Sequence, residues 1–195
     1  MKRYRHFTTI ILLLFVLASF GQQKYEREHR IKKNQFPEKA HVFIAEYLKK
    51  ARKIRYYRET DSSNITYEAK FKVDRLHYSV EFNQSGDLED VEILIKEVDI
   101  PNDSYSLIEQ FLDSTYSKYR IRRIQQQYRV EKGVPVEQIL KEAFQNLLLP
   151  SIRYEIMVAG RKDNGFEDFE ILFDSDGKFI EMRKSLPANY DHILY

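Results

Sequence analysis

Tyr78-Ser79-Val80-Glu81-Phe82-Asn83-Gln84-Ser85-Gly86 places apolar side chains at every second position and ends with glycine where a tight turn wants positive φ. Tyr78, Val80 and Phe82 therefore face a core and Ser79 and Glu81 face away from it. The pattern returns 91 residues later as Phe169-Glu170-Ile171-Leu172-Phe173-Asp174-Ser175-Asp176-Gly177. Upstream of the first copy, Tyr67, Ala69, Phe71 and Val73 alternate with Glu68, Lys70 and Lys72. Ile54 to Thr60 reads as a further strand, joined through the turn Asp61-Ser62-Ser63-Asn64, and Val91, Ile93 and Ile95 mark a fourth. The sheet this predicts is an antiparallel meander.

Moving outward, the period changes from two to three and four. Phe36-Pro37 opens a helix in which Ala40, Phe43, Ile44, Tyr47, Leu48 and Ala51 share one face. A second helix begins after Pro101-Asn102-Asp103 and carries Leu107, Ile108, Phe111, Leu112, Thr115 and Tyr116 on its apolar side. Tyr154-Glu155-Ile156 echoes Tyr67-Glu68-Ala69 at an offset of 87, but Leu107-Ile108 echoes Phe43-Ile44 at an offset of 64. The difference leaves room in the second copy for a third helix. Pro135 opens it, Ile139, Leu140, Ala143 and Phe144 form its stripe, and Pro150 stops it. The expected fold is α+β: two repeated helix-plus-antiparallel-sheet units, 36–100 and 101–195, with an inserted helix at 135–149 in the second.

Residues 1–21 have the layout of a secretory leader. Lys2, Arg3, Arg5 and His6 precede an apolar run from Ile10 to Ala18, and small residues continue to Gly21. The run is short of the roughly 20 apolar residues a membrane span needs, so cleavage is expected rather than anchoring. The chain is expected to be periplasmic or secreted, with no membrane span after cleavage. The leader takes three basic and no acidic residues with it, so the net charge of +2 becomes −1. Overall charge then gives no support for a nucleic-acid partner. Residues 22–35 are dense in charge and poor in apolar side chains, which reads as a tether. Cysteine is absent, so the fold must rest on its core without disulfides.

The sequence shows few signs of catalysis. Cysteine nucleophiles are excluded, no Gly-x-Ser-x-Gly elbow is present, and the histidines are dispersed without metal-ligand spacing. Asp174-Ser175-Asp176-Gly177 begins like a calcium loop but has glycine at the fourth position and lacks the later ligands, so it reads as a hairpin turn. Glu68, Glu81, Glu92, Glu155 and Glu170 occupy alternating strand positions and read as surface charges. No catalytic, metal or cofactor-binding residue is assigned, and no cofactor is expected.

The sheet face turned away from the core is then the working surface. Its first half is charged, and its second half includes Met157, Ala159 and Leu172. Either the inserted helix packs across this second half or a partner does; the helix's apolar stripe favours the helix as core. Tyr56, Tyr57, Met157 and Leu172 are the candidate binding face, with Tyr128 a further aromatic.

These residues resemble the periplasmic PepSY-like proteins of the beta-lactamase-inhibitor-like fold, of the Bacteroidetes type. The likeness is carried by Phe36-Pro37 opening a helix that ends in Lys49-Lys50-Ala51-Arg52-Lys53-Ile54, by the Tyr67 to Val73 strand, and by Val80-Glu81-Phe82-Asn83-Gln84-Ser85-Gly86 running into Leu88. Leu172-Phe173-Asp174-Ser175-Asp176-Gly177-Lys178-Phe179 supplies the ending frequent in that family. The third helix and the charge-rich first strands depart from the pattern. The resemblance implies a non-catalytic module that binds or inhibits an envelope protein or peptide. A small-ligand or glycan binder is the alternative expectation.

Overall fold

The structure, a computed structural model, describes residues 23–24, 26–61, 64–163 and 165–185. The leader expected at 1–21 lies outside them. In chain order the elements are β1 (Gln23–Lys24), β2 (Glu26–Ile31), α1 (Glu38–Leu48), β3 (Arg52–Asp61), β4 (Asn64–Val73), β5 (Leu76–Asn83) and β6 (Leu88–Ile95). There follow α2 (Asn102–Thr115), β7 (Tyr119–Arg129), α3 (Val136–Phe144), β8 (Arg153–Lys162), β9 (Gly165–Asp174) and β10 (Phe179–Ser185). The fold is α+β and mostly sheet, as the alternation predicts.

All strands belong to one sheet, ordered β1-β10-β9-β8-β7-β6-β5-β4-β3-β2. From β2 to β10 each strand runs antiparallel to the next, and β1 pairs parallel with β10. The ends of this order are joined by the chain itself. Lys24 closes β1 and Glu26 opens β2, so their Cα atoms are no more than about 7 Å apart. One segment thus pairs with β10 at one edge and with β3 at the other, and the sheet closes on itself. The parallel pair is what closure demands: nine alternating strands in a ring leave one neighbouring pair running the same way.

The helices lie on one face only. Ala40 and Ile44 of α1, Ile108 and Leu112 of α2, and Ile139, Leu140 and Ala143 of α3 are buried in one core with Ala69, Phe71, Val80, Phe82, Ile156 and Phe173 of the sheet. Each such aliphatic side chain contributes about 1.5–3 kcal/mol on burial. The inserted helix does not cover the Met157 and Leu172 face. It packs on the core side against β6 and β7, and Phe144 stacks on Tyr47 of α1 at 3.9 Å and on Tyr78 of β5 at 4.5 Å. Its apolar stripe matches the aromatic side of the sheet, whereas the other side is polar.

The segment 22–35 is also not slack chain over its described part. Glu26 to Ile31 pair residue by residue with Asp61 to Tyr56, and Lys33–Gln35 form a 3-10 turn before Phe36 enters the core. Backbone pairing and the apolar anchors Ile31 and Phe36 outweigh the disordering effect of charge here.

Two local designs recur. Asn83 Oδ1 accepts from Ser85 N at 2.9 Å and Asp87 N at 3.0 Å; Asp174 Oδ1 accepts from Asp176 N at 3.0 Å and Lys178 N at 2.8 Å. Gly86 and Gly177 complete these turns at φ of 79° and 85°. Each glycine lies against the first turn of a helix, Gly86 against Pro37–Ala40 and Gly177 against Ser104. The hairpin reading of Asp174–Gly177 therefore describes the geometry, and Asp174 spends its side chain on the turn.

Candidate binding site

Closure turns the helix-free face inward. Tyr57, Glu68, Lys70, Ser79, Asp90, Gln125, Gln127 and Leu172 are all buried there, although among the described residues no helix lies over them. Arg123 on β7 acts electrostatically on Glu28 on β2. Those strands are five places apart in the sheet, about 24 Å if it were flat, so the two side chains approach one another across an enclosed interior. Glu68, Glu81, Glu92, Glu155 and Glu170 are thus not surface charges. They are buried or half-buried on the inner face, because the wall they point away from curls round on itself.

The inner face holds two clusters. In the first, Lys70 Nζ lies 2.9 Å from Glu68 Oε2 and 3.2 Å from Glu28 Oε1, with the Tyr57 ring centroid 5.0 Å away. Ser79 Oγ donates to Glu68 Oε1. Burial weighs against ionised Glu68, but Lys70 and the hydrogen bonds from Ser79, Lys70 and Glu59 outweigh it and hold its pKa below the ordinary value. Glu59 goes the other way: burial, then the charges of Glu68, Glu81 and Glu28, push it well up. Burial and the Glu68 charge raise Glu28 to about 7. Glu28, Glu59 and Glu68 bring carboxylate oxygens within 4.8 Å of one another, a spacing open to a metal ion, but the Lys70 ammonium already sits among them.

The second cluster centres on β6, β7 and β8. Gln127 Nε2 donates to Asp90 Oδ2 at 3.0 Å, Gln125 Nε2 donates to Glu92 Oε2, and Arg123 stands 3.8 Å from Glu155. Burial raises Asp90, Glu92 and Glu155 well above the carboxylate range, and each is pushed further by the others: Asp90 by Glu81 and Glu155, Glu92 by Asp90, Glu155 by Glu92 and Glu170. Such a face can hold positive charge and exchange protons with it.

Of the candidate binding residues, Tyr57, Met157 and Leu172 share this inner face, with Met157 opposite Glu170 and Arg123 in register. Tyr56 does not; it turns to the helices, its ring 4.7 Å from that of Phe36. Tyr128 is also in the core and donates to Leu147 O at 2.9 Å. Sequence reading missed Glu28, Glu59, Gln125 and Gln127. The signal available was Gln125-Gln126-Gln127, a run of neutral polar residues opposite the acidic strand β6.

No protein-family model matches the chain, and no curated protein matches it. Solved structures do. One, provisionally assigned to the periplasm of Bacteroides eggerthii, has 15% identity and a TM-score of 0.54, over 80% of this chain and 93% of the other. A BLIP-like protein of Bacteroides fragilis has 11% identity and a TM-score of 0.51, over 80% and 92%. A DUF2874 family protein of Bacteroides ovatus has 13% identity and a TM-score of 0.52, again over 80% and 92%. At these identities the likeness is one of fold, and the fold of this chain is similar to that of BLIP-like proteins.

Proposed function

We propose that this chain is an exported, non-catalytic binding module of the cell envelope whose working surface is the inner face of the closed sheet. The observation that carries this is a set of buried carboxyl groups on a face that no helix covers among the described residues. Burying charge without a covering element is costly and is retained where the charge has a use. A ring of about this many strands leaves room for side chains and one small ligand. Export is supported by the basic-apolar-small order of residues 1–21 and by the periplasmic assignment of structural relatives. Among the described residues no helix is long and apolar enough to cross a membrane. We read the recurring turn and helix-start geometry as a duplicated helix-and-meander unit whose two halves build the ring.

The test is a thermal-shift panel of amines, glycans and short peptides on the exported chain. At least one class is expected to raise the melting temperature, and Glu92→Gln with Glu155→Gln should abolish the rise. A panel without response, or a rise indifferent to both substitutions, argues against an inner site.

An envelope protein or peptide as partner is the second reading. It is supported by Leu107 and Phe179, which remain substantially exposed on the helix side, with Phe179 stacked on Phe111 at 4.6 Å. Leu107→Glu should weaken capture of such a partner without changing the thermal-shift response.

A further inference from the structure

The second cluster contains two acceptors with nothing to accept. Gln125 and Gln127 are only 6% and 8% exposed, and the Oε1 atom of each is fully buried without a hydrogen-bond partner. Both amide nitrogens donate to carboxylates, Gln125 to Glu92, and Gln127 to Asp90 at 3.0 Å and Glu92 at 3.4 Å. As placed, each amide spends its N–H on these carboxyl oxygens and leaves its Oε1 over. A buried, unmatched acceptor costs about 1–3 kcal/mol. Both stand beside Asp90, Glu92 and Glu155, where Arg123 lies 3.8 Å from Glu155, and neither acceptor is met.

A metal ion supplies charge but needs oxygens converging at about 2.3–2.6 Å if it is calcium-like. Among the described residues the one acidic group with oxygens that close together is Glu28, Glu59 and Glu68. Asp90, Glu92 and Glu155 do not form such a group. The fold already displays an organic cation on this face: the Lys70 ammonium, held by Glu28 and Glu68 over the Tyr57 ring.

Resting on the inner-face reading above, we propose that Asp90, Glu92, Gln125, Gln127 and Glu155 form a binding site for an organic cation rich in N–H donors, a primary ammonium or guanidinium group. The Gln125 and Gln127 carbonyls accept from it and the three carboxylates balance its charge. Burial and their mutual repulsion raise these carboxyls, against the lowering effect of Arg123 and Arg129, so bound positive charge should draw their pKa values down and release protons.

Isothermal titration of the exported chain tests this, with spermidine as a free amine, Gly-Lys-Gly and Gly-Arg-Gly as peptide-borne cations, and calcium chloride as the metal arm. Runs at pH 7 in two buffers of different ionisation enthalpy read proton release. Saturable binding of spermidine or of a basic tripeptide is expected, accompanied by proton release. Glu155→Gln or Gln125→Leu should weaken it at least tenfold, whereas Glu46→Gln on the outside of α1 should leave it unchanged. Spermidine alone binding identifies a free amine as the source; the tripeptides binding identifies a basic side chain. No binding of any of the three, equal binding by Glu155→Gln and Gln125→Leu, or calcium binding in their place would each overturn the proposal. A neutral ligand whose thermal shift is lost in Glu92→Gln would keep the inner-face reading while the cation proposal fails.

Discussion

Lys70 on β4 reaches over β3 to place its ammonium 3.2 Å from Glu28 Oε1 on β2, the strand that closes the sheet. The side chains are 9% and 14% exposed, so this pair works with little screening by water. It ties the closing segment to the interior, where Lys70 also meets Glu68 at 2.9 Å.

Replacing Lys70 with methionine keeps most of the stem and removes the charge. Glu28 and Glu68 would then be buried without this cation, and breaking a buried pair costs about 3–5 kcal/mol. Protonation can relieve the loss, so urea denaturation should show a larger deficit at pH 8 than at pH 5. Equal stability of Lys70→Met and the parent at pH 8 would count against a central role for this ammonium.

The pH profile follows from the raised carboxyls. A carboxyl with a folded pKa above its unfolded value binds more protons when folded, so its contribution is fully present below the unfolded value and is lost as pH rises through the folded one. For Glu28 that window runs from the ordinary value of 4.5 to about 7. Glu59, Asp90, Glu92 and Glu155 act in the same direction. Glu68, held below its ordinary value, opposes them only as pH falls below that value. Melting temperature should therefore decline between pH 5 and pH 8, and Glu28→Gln should flatten the decline near pH 7. A profile that rises steadily over this range contradicts the buried state of the carboxyls.

The three helices, the first meander and the side of its strands facing the helices are legible in the sequence, because period and glycine turns are local. Tyr67 to Val73 and Tyr78 to Phe82 face as their alternation says. What the far face meets is not local. Glu68 and Glu81 read as surface charges because alternation separates two faces but cannot say that one curls inward. Closure depends on β1 and β2, whose charged residues look like solvated chain and gain their place only from edges made elsewhere. β7 was obscured for a related reason: Arg120, Arg122 and Arg123 flank a register shift, and Gln126 puts a polar side chain on the core face.

The two recurring turns allow a ranked test. A Cβ at Gly86 would lie 3.2 Å from Ala40 N and Lys39 Cβ, tight but tolerable, leaving chiefly the cost of positive φ, about 1 kcal/mol. At Gly177 the added atom would run into the Ser104 carbonyl, which is backbone and cannot swing aside. Gly177→Ala should thus destabilise clearly more than Gly86→Ala in chemical denaturation. Equal losses would mean that the turn does not press on α2 as closely as the geometry has it.

The closing segment separates a ring from an open sheet. If residues 22–31 were a tether, their removal would be silent. In the ring they supply the partner for β3 from Tyr56 to Asp61, an edge contact for β10, and Glu28 for Lys70. Deleting them exposes two strand edges, which favour pairing with other chains, and opens the carboxylate face to water. The truncated chain should exchange β3 and β10 amides at least tenfold faster while β5 and β6 change little. It should also self-associate by light scattering. Opened carboxyls return towards ordinary pKa values, so the decline in stability between pH 5 and pH 8 should shrink in the same variant. Loss of protection at β3 without that change in pH response would show that the segment pairs with an edge but does not enclose the acidic face.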